Sequence, residues 1–202
     1  MKKLAKKNVA YRYDELERCA QEKAKTKYLA EERLPQFFSE NLVEMLSGKF
    51  GLKNLKTYYS LGYCQGDGLC LYGKIEWTEL FDNDKFKKIA FKGIHYKQIQ
   101  SIENELQGID FDYQSRYYCA NSVDIQSREY DPTDKQMEVI DKIVENVKSW
   151  HFSFCKEWEK IGYDYFYEIS DSDMQEICDA NDYLFTKDGQ LIDQDEYTEL
   201  AA

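Results

Sequence analysis

Between Leu55 and Gly73 the apolar residues stop recurring every three or four positions and begin to alternate. Tyr59, Leu61 and Tyr63 alternate with Tyr58, Ser60 and Gly62, and Leu69, Leu71 and Gly73 resume the rhythm. From Met137 the helical spacing returns, through Ile140, Ile143, Val144, Val147, Trp150, His151, Phe154 and Trp158. A period of 2 puts alternate side chains on one sheet face, and a period of 3.6 puts a stripe on one side of a helix. Neither surface is stable in water alone, so the two are expected to cover each other. This predicts an α+β fold: an antiparallel sheet from about 57–76 and 109–130, packed against a helix over 133–160 and several others.

The remaining pattern fills in that frame. Helices are predicted over residues 13–34, with Leu16, Cys19, Ala20, Lys23, Ala24 and Lys27 in the stripe and Asp14 as cap, and from Pro35 to Gly48, with Phe38, Leu42, Met45 and Leu46 buried. The lysine-rich "DKFKKIAFKGIHYK" (84–97) reads as an exposed edge strand, where lysines discourage aggregation. A helix with Ile99, Ile102 and Leu106 follows, ending at Gly108. "IDFDYQSRYY" and "SVDIQSREY" read as strands joined by a short turn at "CAN". Pro132 suits the first turn of the longest helix, and Thr133 with Gln136 offers a capping box. A short helix near Ser172–Asp179 and a small C-terminal hairpin at Asp188-Gly189 close the chain. One domain is expected over 14–202, its C-terminal part acidic, after a basic flexible N-terminus over 1–13.

Hydrophobic residues make up 43% of the 202 positions and aromatics 15%, enough for a core without disulfides or structural metal. The six cysteines form no Cys-x-x-Cys pair and there are only two histidines, His95 and His151, so reduced, mostly buried thiols are expected and no metal site. His151 lies in an apolar stripe and is expected as a core histidine. No apolar run approaches a membrane span. The basic start lacks the apolar segment of a secretory signal, so a cytoplasmic location is expected.

Charge is unevenly placed. Residues 1–56 carry 13 Lys/Arg against 8 Asp/Glu, a balance of +5, whereas residues 161–202 carry one lysine against 12 acids, a balance of −11. The acidic end repels nucleic acid and attracts basic surfaces, so direct nucleic-acid binding is not expected. Asp171, Asp173, Glu176 and Asp179 are candidate partner-binding residues on that basis.

One motif stands out: Gln65-Gly66-Asp67-Gly68, inside "YYSLGYCQGDGLCLYG". Gly66 and Gly68 allow a tight turn or bulge at positive φ. Asp67 between them either bonds nearby amides, as turn aspartates do, or points outward with Gln65 to a partner or metal. No Walker loop, calcium loop or spaced nucleophile–base set accompanies it. The residues assign no catalytic group and no cofactor.

"YYSLGYCQGDGLCLYG" resembles a segment common in small phage and prophage proteins, where a tyrosine-rich strand meets a QGDG turn. "RYYCANSVDIQSREYD" is similar to a second shared segment, and "YFYEISDSDMQEICDANDYLFTKDGQLI" to the shared ending. Such proteins often carry the loose label "antitoxin of toxin–antitoxin stability system". A histidine expected after the tyrosines of the second segment is replaced here by Cys119, Ala120 and Asn121, which points away from an enzyme. The resemblance implies a mobile-element accessory protein inside a bacterial host. Its expected mode is non-covalent binding of a host protein, such as a nucleic-acid-binding nuclease complex of host defence, in the manner of an anti-CRISPR that imitates nucleic acid. The alternatives are a metal-dependent enzyme centred on the QGDG turn and an antitoxin-like regulator. Target, host and oligomeric state are left open.

Overall fold

A computed structural model describes residues 10–114 and 116–192. In chain order the elements are α1 (Arg18–Glu32), α2 (Pro35–Glu44), β1 (Leu55–Ser60), β2 (Gly68–Glu76), α3 (Trp77–Asp82) and α4 (Asp84–Ala90). They continue with α5 (Tyr96–Ser101), β3 (Leu106–Tyr113), β4 (Val123–Glu129), α6 (Asp134–Tyr167) and α7 (Asp171–Ala180). The fold is α+β. The described residues fall into two compact units, 35–163 and 10–34 with 164–192. The sequence pattern points to one domain over 14–202, because hydrophobic spacing reports which face is buried and not against what.

The larger unit holds the sheet, in strand order β1-β2-β3-β4, antiparallel throughout. Leu71 and Ile75 of β2, Ile109 and Phe111 of β3 and Ile125 of β4 are buried. α6 packs on this sheet. Its His151 ring meets Phe111 edge-on at 5.5 Å, and His151 Nε2 accepts the Leu71 N–H at 3.3 Å. An aromatic ladder continues the contact: Phe86 on Trp150 at 4.9 Å, Phe50 on Trp150 at 5.5 Å, Phe154 on Trp158 at 6.0 Å and Phe38 on Trp158 at 5.8 Å. Edge-to-face rings add attraction beyond the area they bury.

The polar side of α6 also contributes. Asn146 Nδ2 donates to the carbonyls of Ala90 and Lys92, each at 3.0 Å, and Lys142 Nζ donates to Gly93 O at 2.9 Å. These bonds satisfy carbonyls at and beyond the end of α4, which would otherwise lack partners. At the start of α6, the Thr133 N–H donates to Gln136 Oε1 at 2.8 Å, which is half of the expected capping box.

Several expectations are corrected. Residues 84–97 form no edge strand. Asn83 Oδ1 accepts the Lys85 and Phe86 N–H groups and starts α4, and Phe86 and Ala90, four apart, are its buried face. The lysines are spaced for a helix surface as well as for a strand, and the cap decides. The helix after it ends at Ser101, and Leu106 already opens β3. α2 passes into a π-helical turn over Met45–Lys49, so Gly48 caps nothing; Gly51, at φ +71°, follows instead. Of "CAN", Ala120 and Asn121 lie in a 3-10 turn, Ala120–Ser122, which the extended Cys119 precedes.

The smaller unit has its own core of Tyr13, Leu16, Ala20, Ala24, Met174, Cys178 and Phe185. α1 begins only at Arg18, with Leu16 buried ahead of it, and Cys19 is exposed rather than in the stripe. Asp14 sits in a separate 3-10 turn and does not cap α1. Of the residues expected as a flexible N-terminus, Tyr11 pairs with Phe185 and Tyr13 is buried, while 1–9 lie outside the described residues. Among the described residues, no strand forms at the expected C-terminal hairpin. Asp188-Gly189 makes a tight turn, with Thr186 N donating to Gln190 O at 2.8 Å, beside one isolated Phe185–Leu191 bridge. The apolar runs there are too short to extend a ladder.

Phe154 is buried among Phe50, Trp150 and Trp158. Phe154→Ala is expected to cost about 3–5 kcal/mol, read by urea unfolding. Phe152→Ala, two residues away on the exposed side of α6, is expected to cost little. Equal losses from the two variants would contradict the packing described here.

Candidate functional site

The QGDG segment lies in the connection between β1 and β2, and its backbone explains its composition. Gly66 has φ +92° and Gly68 φ +149°, where L side chains are strained. Space is short as well. A Cβ on Gly66 would lie 2.2 Å from Tyr117 Cδ1, and one on Gly68 would lie 2.8 Å from the Tyr118 carbonyl oxygen. The Tyr118 N–H donates to Gly66 O at 3.0 Å. The glycine turn is therefore pressed against residues 117–119, which joins two segments that lie about fifty positions apart.

Asp67 is a local organiser. Its Oδ1 accepts the Ser60 hydroxyl at 2.6 Å; its Oδ2 accepts the Gly62 N–H at 2.6 Å and the Cys64 N–H at 2.7 Å. These bonds, led by Ser60 and joined by one from Tyr163, hold its carboxyl below the usual carboxylate range. Tyr163 comes from α6, where Gly162 lets the helix close on Leu61 and Phe38. Of the two roles open to Asp67, amide capping is the one this geometry fills. Gln65 is exposed at the loop tip.

Beside the turn the sheet carries tyrosines that the sequence reading did not single out as a site. Tyr58 stacks on Tyr72 at 4.1 Å with rings 12° apart, Tyr113 meets Tyr58 edge-on at 5.2 Å, and Tyr118 approaches at 6.3 Å. Tyr58 remains 40% exposed, and Tyr117 and Tyr118 39% each. Hydrogen bonding to Tyr58 and burial push Tyr72 up to about 12, so its phenol stays protonated. Next to them an ion-pair network links Lys74 to Glu76, and Arg128 to both Glu76 and Asp110 at 3.1 and 2.8 Å. The available signal was tyrosine density in "YYSLGYC" and "SRYYC"; their meeting depends on strand pairing.

The acidic candidates belong to the smaller unit. Asp171 pairs with Lys25, which lowers its carboxyl. The Asp173 N–H donates to Ser170 Oγ at 3.0 Å, and both acids sit in the first turn of α7, where the helix dipole favours them. Asp179 Oδ1 accepts from Gln175 Nε2 at 2.9 Å. Asp173, Glu176 and Asp179 are exposed, opposite buried Met174 and Cys178. Asp171 and Asp173 thus have structural roles that charge counting does not reveal.

The histidines and thiols form no recognisable reactive pair. His151 is buried, and desolvation pulls its imidazole down to about 4. Cys155, one turn further along α6, is pushed up by burial. A thiolate–imidazolium pair needs the opposite shifts. Cys70 and Cys178 are also buried and Cys119 is half-buried, so the expectation of buried thiols fails only at Cys19 and Cys64, which are exposed. Among the described residues, no group of three or more His, Cys, Asp or Glu is placed to hold a metal ion. Among them, too, no helix is long and apolar enough to cross a membrane.

Two predictions follow from this geometry. Asp67→Ala is expected to destabilise the fold by about 1 kcal/mol, because it removes three hydrogen bonds that order the turn, although the exposed Gly62 and Cys64 N–H groups can bond to water instead. Asp67→Asn should lose less, since Ser60 can rotate to accept from the amide, and Gly66→Val should lose more than either. Thermal melts of the three variants rank them; an Asp67→Ala melt like wild type would remove the organising role. His151 gives a pH dependence with a fixed sign. The unfolded chain takes up this proton near pH 6.5 and the folded chain only near 4, so the unfolded state binds more protons in between. Stability is therefore lost as pH falls across that window, by roughly 3 kcal/mol in total. His151→Gln should flatten the urea-unfolding profile there, and an unchanged slope would contradict the burial effect.

Set beside known proteins, the chain matches no family model, no curated protein and no solved structure.

Proposed function

We propose that this chain is a non-enzymatic binding protein of a phage or other mobile element, working in the cytoplasm of a bacterial host. It acts by occupying a host protein, and a nucleic-acid-binding nuclease complex of host defence suits its charge. The observation that carries the reading is the exposed group of Tyr58, Tyr117 and Tyr118, with Tyr58 stacked on Tyr72 and met edge-on by Tyr113 and Tyr118. Tyrosines held by their neighbours offer large contact area with little entropy left to lose, and protein interfaces are enriched in them.

The exposed acids of α7 support a basic partner. Charge of this kind speeds encounter and suppresses wrong partners more than it adds affinity. With a net charge of −11, the chain itself is repelled by nucleic acid. The enzyme alternative drew its motive from Asp67, and that carboxylate is already engaged by its own loop.

The test is affinity capture from host lysate at two salt concentrations. Wild type is compared with Tyr58→Ala/Tyr118→Ala and with Asp173→Lys/Glu176→Lys/Asp179→Lys. A stoichiometric nuclease complex is expected with wild type, weakened roughly tenfold or more by the tyrosine pair. The charge-reversed variant should associate more slowly, and salt should remove the difference. A toxin as the captured partner favours the antitoxin-like reading. Capture unchanged by either variant would rule out both surfaces.

A further inference from the structure

Among the described residues, β4 is the last strand of the sheet and pairs only with β3. The Ser122 carbonyl accepts from Gln114 N, and the register runs unbroken from Tyr113↔Val123 to Gly108↔Arg128. The even-numbered residues of β4 therefore turn their backbone groups toward β3, and Val123, Ile125, Ser127 and Glu129 turn theirs outward. Such an edge is a template for another strand. Beside it lies an open groove lined by Val123, Ile125, Lys148, Ser149 and Phe152, among others. Phe152 is 46% exposed although it sits on α6, the helix that covers the sheet.

The charges on β4 select the occupant. Aligned antiparallel with a second copy about a twofold axis at Gln126, Asp124 of each chain faces Arg128 of the other. The outward residues then fall opposite one another as Ile125 with Ser127 and Val123 with Glu129. Arg128 is held toward β3 and β2 by Asp110 and Glu76, so the facing Asp124 meets it as an opposite charge across the joint and not as a new close ion pair. Opposite charges directly across an antiparallel pair are stabilising. The axis stands perpendicular to the sheet, so both α6 helices lie on one side and Phe152 of each is brought toward the joint.

We propose that this chain forms a twofold-symmetric dimer through β4, making one continuous sheet with roughly eight new backbone hydrogen bonds if the strands pair over their full length. This does not rest on the function proposed above.

The experiment uses the full chain at about 100 µM. Sedimentation equilibrium is expected to give twice the 24.0 kDa monomer mass. Gln126 sits at a non-hydrogen-bonded pair on the axis, where Cα atoms approach to about 4.5 Å and a disulfide fits. Gln126→Cys should therefore oxidise to a covalent dimer much faster than wild type, whose exposed Cys19 and Cys64 are the control. Asp124→Cys should not, its copies being roughly 13 Å apart. Asp124→Arg and Phe152→Lys, both at exposed positions, should give folded monomers by circular dichroism and sedimentation. A wild-type monomer at this concentration overturns the proposal, as does a Gln126→Cys link no faster than wild type or a dimer unaffected by Asp124→Arg. The edge would then be free for a strand of another protein.

Discussion

The larger unit depends on the burial of one face of α6 against the sheet. The stripe from Val139 to Trp158 is apolar except for His151, and that histidine is tolerated because a strand N–H meets it. A buried imidazole with no donor would cost as much as a lost hydrogen bond. With one it marks register, since only one turn of α6 can present Nε2 to Leu71. The aromatic ladder then follows from helical spacing: Trp150, Phe154 and Trp158 are four apart; Trp150 meets Phe50 and Phe86, Phe154 meets Phe50, and Trp158 meets Phe38. Asn146 and Lys142 carry the same helix's influence outward by finishing α4.

The loop between β1 and β2 shows a different economy. Asp67 gathers donors from Ser60, Gly62 and Cys64, all within seven residues of it, and the glycines on either side let the backbone lie against Tyr117 and Tyr118. A charged group serves here as a turn former, and its depressed protonation follows from the donors around it. What it leaves at the surface is aromatic. The tyrosines of β1, β2 and the segment after β3 are held by stacking and edge contacts on one another, which is how a large exposed ring is kept in one orientation.

The acidic C-terminal part divides along the same line. Asp171 and Asp173 serve the start of α7, by an ion pair and by the helix dipole, while Glu176 stands exposed. Net charge alone treats these residues as equivalent. Their partners separate them, and those partners, such as Lys25, come from a helix near the other end of the chain.

Periodicity by itself determined the α+β class, the β1–β2 pair around QGDG, β3 and β4, and α6 with its buried stripe, because each is a long regular pattern with one apolar face. It also marked Gly66 and Gly68 as backbone positions and His151 as a core residue. Short segments were decided elsewhere. Residues 84–90 became a helix because Asn83 caps them and Phe86 finds Phe50 and Trp150, a choice that lysine spacing leaves open. Leu106 was taken by β3 because Glu129 pairs with it, although its spacing continues the preceding helix. The tyrosine cluster, the donors around Asp67 beyond its own loop and the exposed edge of β4 arise only when distant segments meet. Local spacing tells which face of an element is apolar; the neighbour that covers it is a property of the folded chain.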